Sequence, residues 1–148
     1  MYEVPGIFGT NAPLTIDLTL IAQIVAFALV TIAILYKFKR KWKIHGFVMG
    51  GALALHFVDF LVIMVPLFMS NFSLYVTGTS FLFVQTLWIH AVSGALALVL
   101  ASYITLTWVT NPASLKHCFR RKRLMDTTFL LWAISFTFAI ITYVATYT

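Results

Sequence analysis

The sequence contains very little charge. Only 9% of its 148 residues are charged, whereas about a quarter of the residues of a soluble domain are charged. Between residues 44 and 115 there is no basic residue and a single acid, Asp59. So few charges cannot cover a surface that faces water. This excludes an ordinary soluble domain, and we expect the outer surface of the protein to face lipid.

Cysteine and the common catalytic motifs are also scarce. Cys118 is the only cysteine, which excludes an intramolecular disulfide. The sequence has no His-Glu-x-x-His zinc motif, no Gly-x-Ser-x-Gly nucleophile elbow and no phosphate-binding loop. We therefore expect no catalytic residues and predict that the protein is not an enzyme. Residues 1–13 lack a basic start and an apolar core, so we expect no cleavable signal peptide.

Four long apolar segments make up most of the chain. We predict helices at about residues 15–36, 44–69, 81–109 and 124–147, each long enough to cross a hydrocarbon core of about 30 Å. Pro66 should loosen the last turn of the second helix, and residues 70–80 should form a short polar loop. Short connections make consecutive helices antiparallel. The predicted fold is all-α: residues 1–148 form one integral membrane domain, an antiparallel four-helix bundle.

The basic residues predict the orientation of this bundle. All ten lysines and arginines lie in two clusters, at residues 37–43 and 116–123. Because basic loops stay on the cytoplasmic side, we expect both clusters in the cytoplasm and both termini outside the cell membrane. These charges can also contact anionic lipid headgroups, whereas no motif supports nucleic-acid binding. The expected partners are membrane lipids and other membrane protein subunits, and no nucleic acid.

Small residues predict where the helices approach each other, because they let membrane helices pack closely. Gly46 and Gly50 form a Gly-x-x-x-Gly pair on the second helix, and Ser93, Ala97 and Ala101 recur at every fourth position of the third. A stripe of polar and small residues on the fourth helix should face the interior. Its members are Thr128, Trp132, Ser135, Ala139, Thr142 and Thr146.

Polar side chains inside the apolar segments are the candidate functional residues. His45, His56 and Asp59 share one face of the second helix, and the last two lie near mid-membrane. His90 on the third helix differs from His56 in depth by about 6 Å, which a modest helix tilt can bridge. A carboxylate at mid-bilayer costs roughly 2.5–3.5 kcal/mol. Asp59 must therefore be paired, protonated or beside a wet cavity.

Three functional interpretations compete with a structural one. In the first, His56 and His90 are axial ligands of a b-type haem, and Gly94 leaves room for the porphyrin. In the second, the polar residues bind copper or relay protons. In the third, they dock a partner membrane protein. In the structural interpretation, His56, Asp59, Gln85 and His90 simply form hydrogen bonds across the bundle.

Three segments are similar to those of a known membrane family. Residues 40–49 (RKWKIHGFVM) look like a basic loop followed by a helix-opening histidine, and residues 87–95 (LWIHAVSGA) look like a third-helix histidine followed by small residues. The third segment is the basic loop that leads to Leu130-Leu131-Trp132 and Tyr143. On these segments, roughly residues 36–147 resemble domain-of-unknown-function family 420, four-helix membrane proteins that often accompany haem-copper terminal oxidases.

This resemblance implies a role beside a respiratory enzyme. It makes His45 and His90 candidate functional histidines, whereas His56 and Asp59 have no assigned counterpart in the family pattern. We therefore expect a non-catalytic accessory or assembly protein of a respiratory membrane oxidase. The alternatives are a small helical subunit of a larger membrane metalloenzyme complex, either a terminal oxidase or a copper membrane monooxygenase, and a b-type haem electron carrier.

Overall fold

The computed structural model describes residues 6–77, 81–110 and 121–148; from residue 14 onward these parts are almost entirely helical, and the described parts contain no strand. The helices are α1 Leu14–Phe38, α2 Trp42–Asp59, α3 Val65–Ser70, α4 Phe72–Thr77, α5 Phe81–Thr110 and α6 Lys122–Tyr147. Four spans are long and apolar enough to cross a membrane, namely α1, Trp42–Ser70, α5 and α6. The protein is thus a multi-pass membrane protein, and the predicted all-α four-helix architecture is confirmed.

The spans begin and end within two residues of the predicted helices. The clearest boundary is the turn between α1 and α2. Arg40 adopts a left-handed conformation there, with φ of 56°, which a helix cannot continue through. The amide of Lys41 then bonds to the carbonyl of Tyr36, and this contact closes a tight turn before α2. The basic residues of this turn coincide with the reversal of the chain.

The second span is not a uniform helix. A π-helical turn, Phe60–Met64, joins α2 to α3, and the amide of Val65 bonds to the carbonyl of Phe60. We predicted that Pro66 would loosen the last turn of the second helix, but the distortion lies in the turn that precedes Pro66. Proline lacks an N–H, and its ring collides with the carbonyl four residues earlier, so the strain falls on the preceding turn. Asp59 lies immediately before this wide turn.

Residues 70–80 are not simply a polar loop, as we had predicted. Residues Phe72–Thr77 form α4, and Tyr75 in this helix is buried with its ring centroid 5.5 Å from that of Phe68. The indole N–H of Trp88 donates to the carbonyl of Tyr75 at 3.1 Å. These aromatic contacts fold the connection back onto the end of the bundle. Residues 78–80 lie outside the described part.

Contacts at both ends show that consecutive spans run antiparallel. His45 at the start of α2 bonds to Ala33 near the end of α1, and Arg121 before α6 bonds to Tyr103 in the last third of α5. We call this the basic end, because residues 37–43 and 121–123 lie there; residues 116–120 of the second cluster lie outside the described part. At the opposite, distal end, the amide of Asn11 bonds to the carbonyl of Tyr147.

Two helix pairs make up the bundle. The most extensive contacts are those between α5 and α6 and those between α1 and α2, while α2 meets α5 and α1 meets α6 over smaller areas. Small residues fill the centre around one large ring. The buried core cluster consists of Ala26, Val30, Ala52, Ala97 and Trp132. Between the pairs, the rings of Phe27 on α1 and Phe136 on α6 stack with centroids 4.6 Å apart.

The small-residue predictions are confirmed in part. Ser93, Ala97 and Ala101 are all buried on α5. On α6 the first half of the predicted stripe is buried, namely Thr128, Trp132 and Ser135, whereas Tyr143 rather than Thr142 is buried near its end and Thr146 is exposed.

The Gly-x-x-x-Gly pair on α2 does not act as one contact. A side chain at Gly46 would collide with the indole of Trp108 on α5, so this glycine lets the two helices approach. A side chain at Gly50 would meet nothing within 4 Å. Gly46 therefore packs inside the bundle, while Gly50 borders open space on its outside.

Candidate functional site

The interior of the bundle contains polar atoms that no described group satisfies. The hydroxyl of Thr19, Nδ1 of His56 and both carboxylate oxygens of Asp59 are buried and have no hydrogen-bond partner among the described residues. Buried polar atoms of native proteins are nearly always hydrogen-bonded. Three such side chains in one interior therefore form a candidate functional site. We call Thr19, His56, Asp59 and the adjacent His90 the interior polar group.

Asp59 is the carboxyl-bearing member of this group. It follows His56 by three residues on the same face of α2, as predicted, and both side chains are buried. The Thr19 hydroxyl on α1 lies beside the carboxylate, although the two form no hydrogen bond. Asp59 and His56 do not bond to each other either, so the Asp59 carboxyl group has no partner among the described residues. Three members of the group, Thr19, His56 and Asp59, thus have side-chain atoms without a hydrogen bond.

His90 is the fixed member of the group. Its Nδ1 lies 2.9 Å from the backbone carbonyl of Ser135 on α6, and the Ser135 hydroxyl donates to the His90 carbonyl at 3.0 Å. Since a carbonyl only accepts, Nδ1 carries the proton of the neutral ring, and Nε2 keeps its lone pair. The His90 and His56 rings are close enough to interact electrostatically. The structure thus brings the two predicted histidines together.

Gln85 and Gly94 lie differently from our expectation. Gln85 is exposed, whereas its neighbour Thr86 is buried. Gln85 therefore points away from the bundle interior and does not form the interior hydrogen bond that the structural interpretation assigned to it. Among the residues of that interpretation, only His90 makes a side-chain bond across the bundle. A Cβ atom at Gly94 would lie 2.8 Å from the Ser135 hydroxyl. Helix α6 therefore fills the space that we had assigned to a porphyrin.

His45 lies apart from the interior polar group. Its Nδ1 lies 2.8 Å from the carbonyl of Ala33, and the half-buried ring lines a cavity of about 580 Å³ at the basic end. Eleven positions separate it from His56, or roughly 16 Å along a helix. The three candidate histidines therefore do not form one site.

The interior histidines meet only some requirements of a haem site. The Ser135 carbonyl orients His90 as a metal ligand would be oriented, with Nε2 available. The surroundings do not fit, because Ser135 packs against Gly94 and the Trp132 ring lies 5.2 Å from that of His56. The large cavity at the basic end is lined by neither His56 nor His90. His56 and His90 therefore have the ligand chemistry that haem requires, but the packing around them leaves no room for a porphyrin.

Metal ions held by several side chains were the other possibility. Within residues 6–77, 81–110 and 121–148, no group of three or more histidine, cysteine, aspartate or glutamate side chains is arranged to hold a metal ion. The interior polar group offers imidazole, carboxylate and hydroxyl atoms instead. Such atoms can accept a proton or hydrogen-bond a polar guest.

Sequence analysis missed Asp17. This carboxylate is fully buried; its Oδ2 accepts the amides of Ile7 at 2.5 Å and Phe8 at 3.0 Å, and its Oδ1 accepts the hydroxyl of Tyr143 at 2.7 Å. The Thr10 hydroxyl lies 2.7 Å from that of Tyr143. The sequence feature that could have revealed it is an acid in the first turn of an apolar helix that directly follows a proline. Asp17 ties the N-terminal segment to α6.

The comparisons with known proteins are negative. No protein-family model matches the chain, and neither a curated protein nor a solved structure matches it significantly.

Proposed function

We propose that this chain is a non-catalytic accessory or assembly protein of a respiratory membrane oxidase, and that it acts through the interior polar group. The observation that carries the proposal is the set of buried, unpartnered atoms of Thr19, His56 and Asp59 beside His90. Ionisable side chains inside membrane spans are costly, and they usually mark a functional site. The oxidase as partner comes from the resemblance of residues 36–147 to family 420.

The chemistry of the group supports a role in handing something to a partner. A carboxyl group, an imidazole and a hydroxyl with free hydrogen-bonding capacity can hold a proton or a polar guest, and they can release it again because no group within the described residues bonds to the atoms in question. The π-helical turn that directly follows Asp59 supports this role, since such turns often occur at functional sites.

Gene deletion and complementation test this function. Deletion should lower oxidase activity and the haem absorption of membranes, and the unaltered gene should restore both. Asp59→Asn keeps the side-chain shape but removes the charge, so it should fail to restore activity at equal protein level. Gln85→Leu, an exposed polar position in a span, is the matched control and should restore it. An oxidase that is unchanged by deletion would overturn the proposal.

A stable subunit of a larger membrane metalloenzyme complex, a terminal oxidase or a copper membrane monooxygenase, is the second candidate. It is favoured by one face of α2, where Phe47 is 73% exposed, Val58 is 58% exposed, and side chains at Gly50 and Gly51 would meet nothing within 4 Å. Large residues around small ones suit a helix of another subunit. Purification in mild detergent should then recover a multi-protein complex, and a monodisperse lone chain would count against this candidate.

We further propose that the basic end faces the cytoplasm and that both termini face outward, since basic loops stay inside. The test uses Cys118→Ser as background with one new cysteine at a time. A membrane-impermeant maleimide added to intact cells should label Leu74→Cys, at the exposed distal end, and leave Lys39→Cys unlabelled. Labelling of Lys39→Cys alone would reverse the orientation.

A further inference from the structure

The cavity at the basic end is separate from the interior polar group. Its volume is about 580 Å³, and α1, α2, α5 and α6 all contribute to its wall. None of the four residues of the interior polar group lines it. Pockets that hold small molecules in proteins measure about 300–1,000 Å³. The cavity therefore has the size of a binding site for a small molecule or a single lipid chain.

The wall of the cavity changes from charged to apolar with depth. Lys37, Lys43 and Arg121 line it near the helix ends at the basic end. Asp126 is the only acid among the described lining residues, so cations outnumber carboxylates three to one. Farther from that end the lining is mostly apolar, and Trp132 is the lining residue of α6 that lies farthest along the helix from Arg121. This arrangement matches a molecule with an anionic head and an apolar tail.

The Arg121 side chain is held in place at the charged end of the cavity. Its guanidinium carbon lies 5.1 Å from the centroid of the Tyr103 ring, and its Nη2 lies 3.5 Å from the Tyr103 hydroxyl. Stacking of this kind holds an arginine by cation–π attraction. At least one cation is thus fixed at the entrance, ready to meet an anion.

The depth of the cavity matches one leaflet of a bilayer. Arg121 and Trp132 are eleven positions apart on one chain segment, which corresponds to roughly 16 Å along a helix. Half of a hydrocarbon core of about 30 Å is about 15 Å. A lipid in the leaflet at the basic end would therefore have its headgroup at the level of the cations and its chain end near Trp132.

We propose that this cavity binds one acyl chain of an anionic phospholipid, with the headgroup at Lys37, Lys43 and Arg121. The apolar depth takes the chain, and the cations select a negative headgroup over a zwitterionic one. This site is independent of the function proposed above, because it uses other residues. It would operate in an oxidase assembly protein or in any other membrane subunit.

Brominated lipids test the proposal directly, because bromine quenches indole fluorescence on contact. Trp132 is 4% exposed, so lipids around the bundle do not reach it, whereas Trp88 is 38% exposed. Two variants each keep one of these tryptophans and carry phenylalanine at the other three positions. In phosphatidylcholine vesicles, dibrominated phosphatidylglycerol should quench Trp132 more strongly than an equal fraction of dibrominated phosphatidylcholine. Trp88 should be quenched equally by both lipids.

Matched variants locate the lipid. Arg121→Gln should weaken phosphatidylglycerol binding by about fivefold, the equivalent of about 1 kcal/mol for one cation near an anionic headgroup. Arg123→Gln, on the exposed surface two positions away, should leave it unchanged. Ala101→Phe would fill the cavity and should abolish quenching of Trp132, while Ala95→Phe on the exposed side of α5 should not.

Native mass spectrometry of the unaltered chain gives a second measurement, which does not depend on the tryptophan variants folding. After delipidation, added phosphatidylglycerol should appear as a single retained adduct, and phosphatidylcholine should be lost at lower collision energy. Equal retention of the two lipids would overturn the proposal. So would a Trp132 signal that neither brominated lipid quenches.

Discussion

Replacing Gly94 with alanine should separate α5 from α6 at the level of His90. The added methyl group would lie 2.8 Å from the Ser135 hydroxyl, whereas the next nearest atom, the Ser135 Cβ, is at an ordinary 3.7 Å. Overpacking of this kind typically costs about 1–3 kcal/mol. Alanine also gains up to about 1 kcal/mol in helix propensity over glycine, so the single variant alone does not isolate the contact.

A double-mutant cycle with Ser135 isolates it. Ser135→Ala removes the hydroxyl but keeps the backbone carbonyl that lies 2.9 Å from Nδ1 of His90, so it should cost only about 0.6 kcal/mol, the average for hydrogen bonds in membrane bundles. In the double variant the alanine methyl group at Gly94 no longer meets the hydroxyl. The double variant should therefore be at least as stable as Ser135→Ala, because only the helix-propensity gain remains, and the coupling free energy should be about 1–3 kcal/mol. The helix-propensity gain cancels in this cycle.

The assay is reversible unfolding of the purified protein in mixed micelles with rising dodecyl sulfate, followed by tryptophan fluorescence. Trp132 lies three residues before Ser135 and reports on the same part of α6. Gly51→Ala is the control, because a side chain there would meet nothing within 4 Å, and it should not lose stability. Strictly additive free energies for Gly94→Ala and Ser135→Ala would show that the two helices do not touch there.

Three further predictions concern other parts of the bundle. Gly46→Leu should lower the free energy of unfolding by about 1–3 kcal/mol, because the new side chain collides with the indole of Trp108 on α5. Gly50→Leu faces open space and should leave the free energy of unfolding unchanged. Equal losses of stability in the two variants would contradict the assigned helix faces. Asp17→Ala removes both acceptor oxygens, so hydrogen exchange at the Phe8 amide should become faster; unchanged exchange would refute this anchor. Protein expressed with haem supplied should show no Soret band, and a band that His90→Ala abolishes would mean that α5 and α6 separate to admit a porphyrin.

The number, length and antiparallel order of the spans could be predicted from sequence because they depend on hydrophobic length and charge. A segment that is apolar for some 20 residues and flanked by cations has few alternatives in a membrane. The burial of small residues on α5 followed from the same kind of argument, since only small side chains permit close approach.

The direction in which each side chain points could not be predicted equally well. A helix that is apolar on all sides does not indicate which side faces its neighbours. Gln85 and Thr86 are adjacent, one turned outward and the other buried, and only the contacts between helices decide between them. Gly94 was read as empty space for the same reason. The π-helical turn at Phe60–Met64 shifts the register after Asp59, which regular helix geometry does not anticipate.

The two ends of the bundle differ in how the helix pairs are joined. At the distal end, Asp17 and Tyr143 connect α1 to α6 through a buried hydrogen bond of 2.7 Å, which adds a polar link to the N-terminal segment. At the basic end, Gly46 and Trp108 bring α2 and α5 together, but the cavity of about 580 Å³ lies between the pairs. A molecule that fills this cavity contacts all four spans at once and thereby stabilises the arrangement that holds His56 near His90. Trp132 lines this cavity, and its ring centroid lies 5.2 Å from that of His56, so the basic end and the interior polar group meet at one side chain.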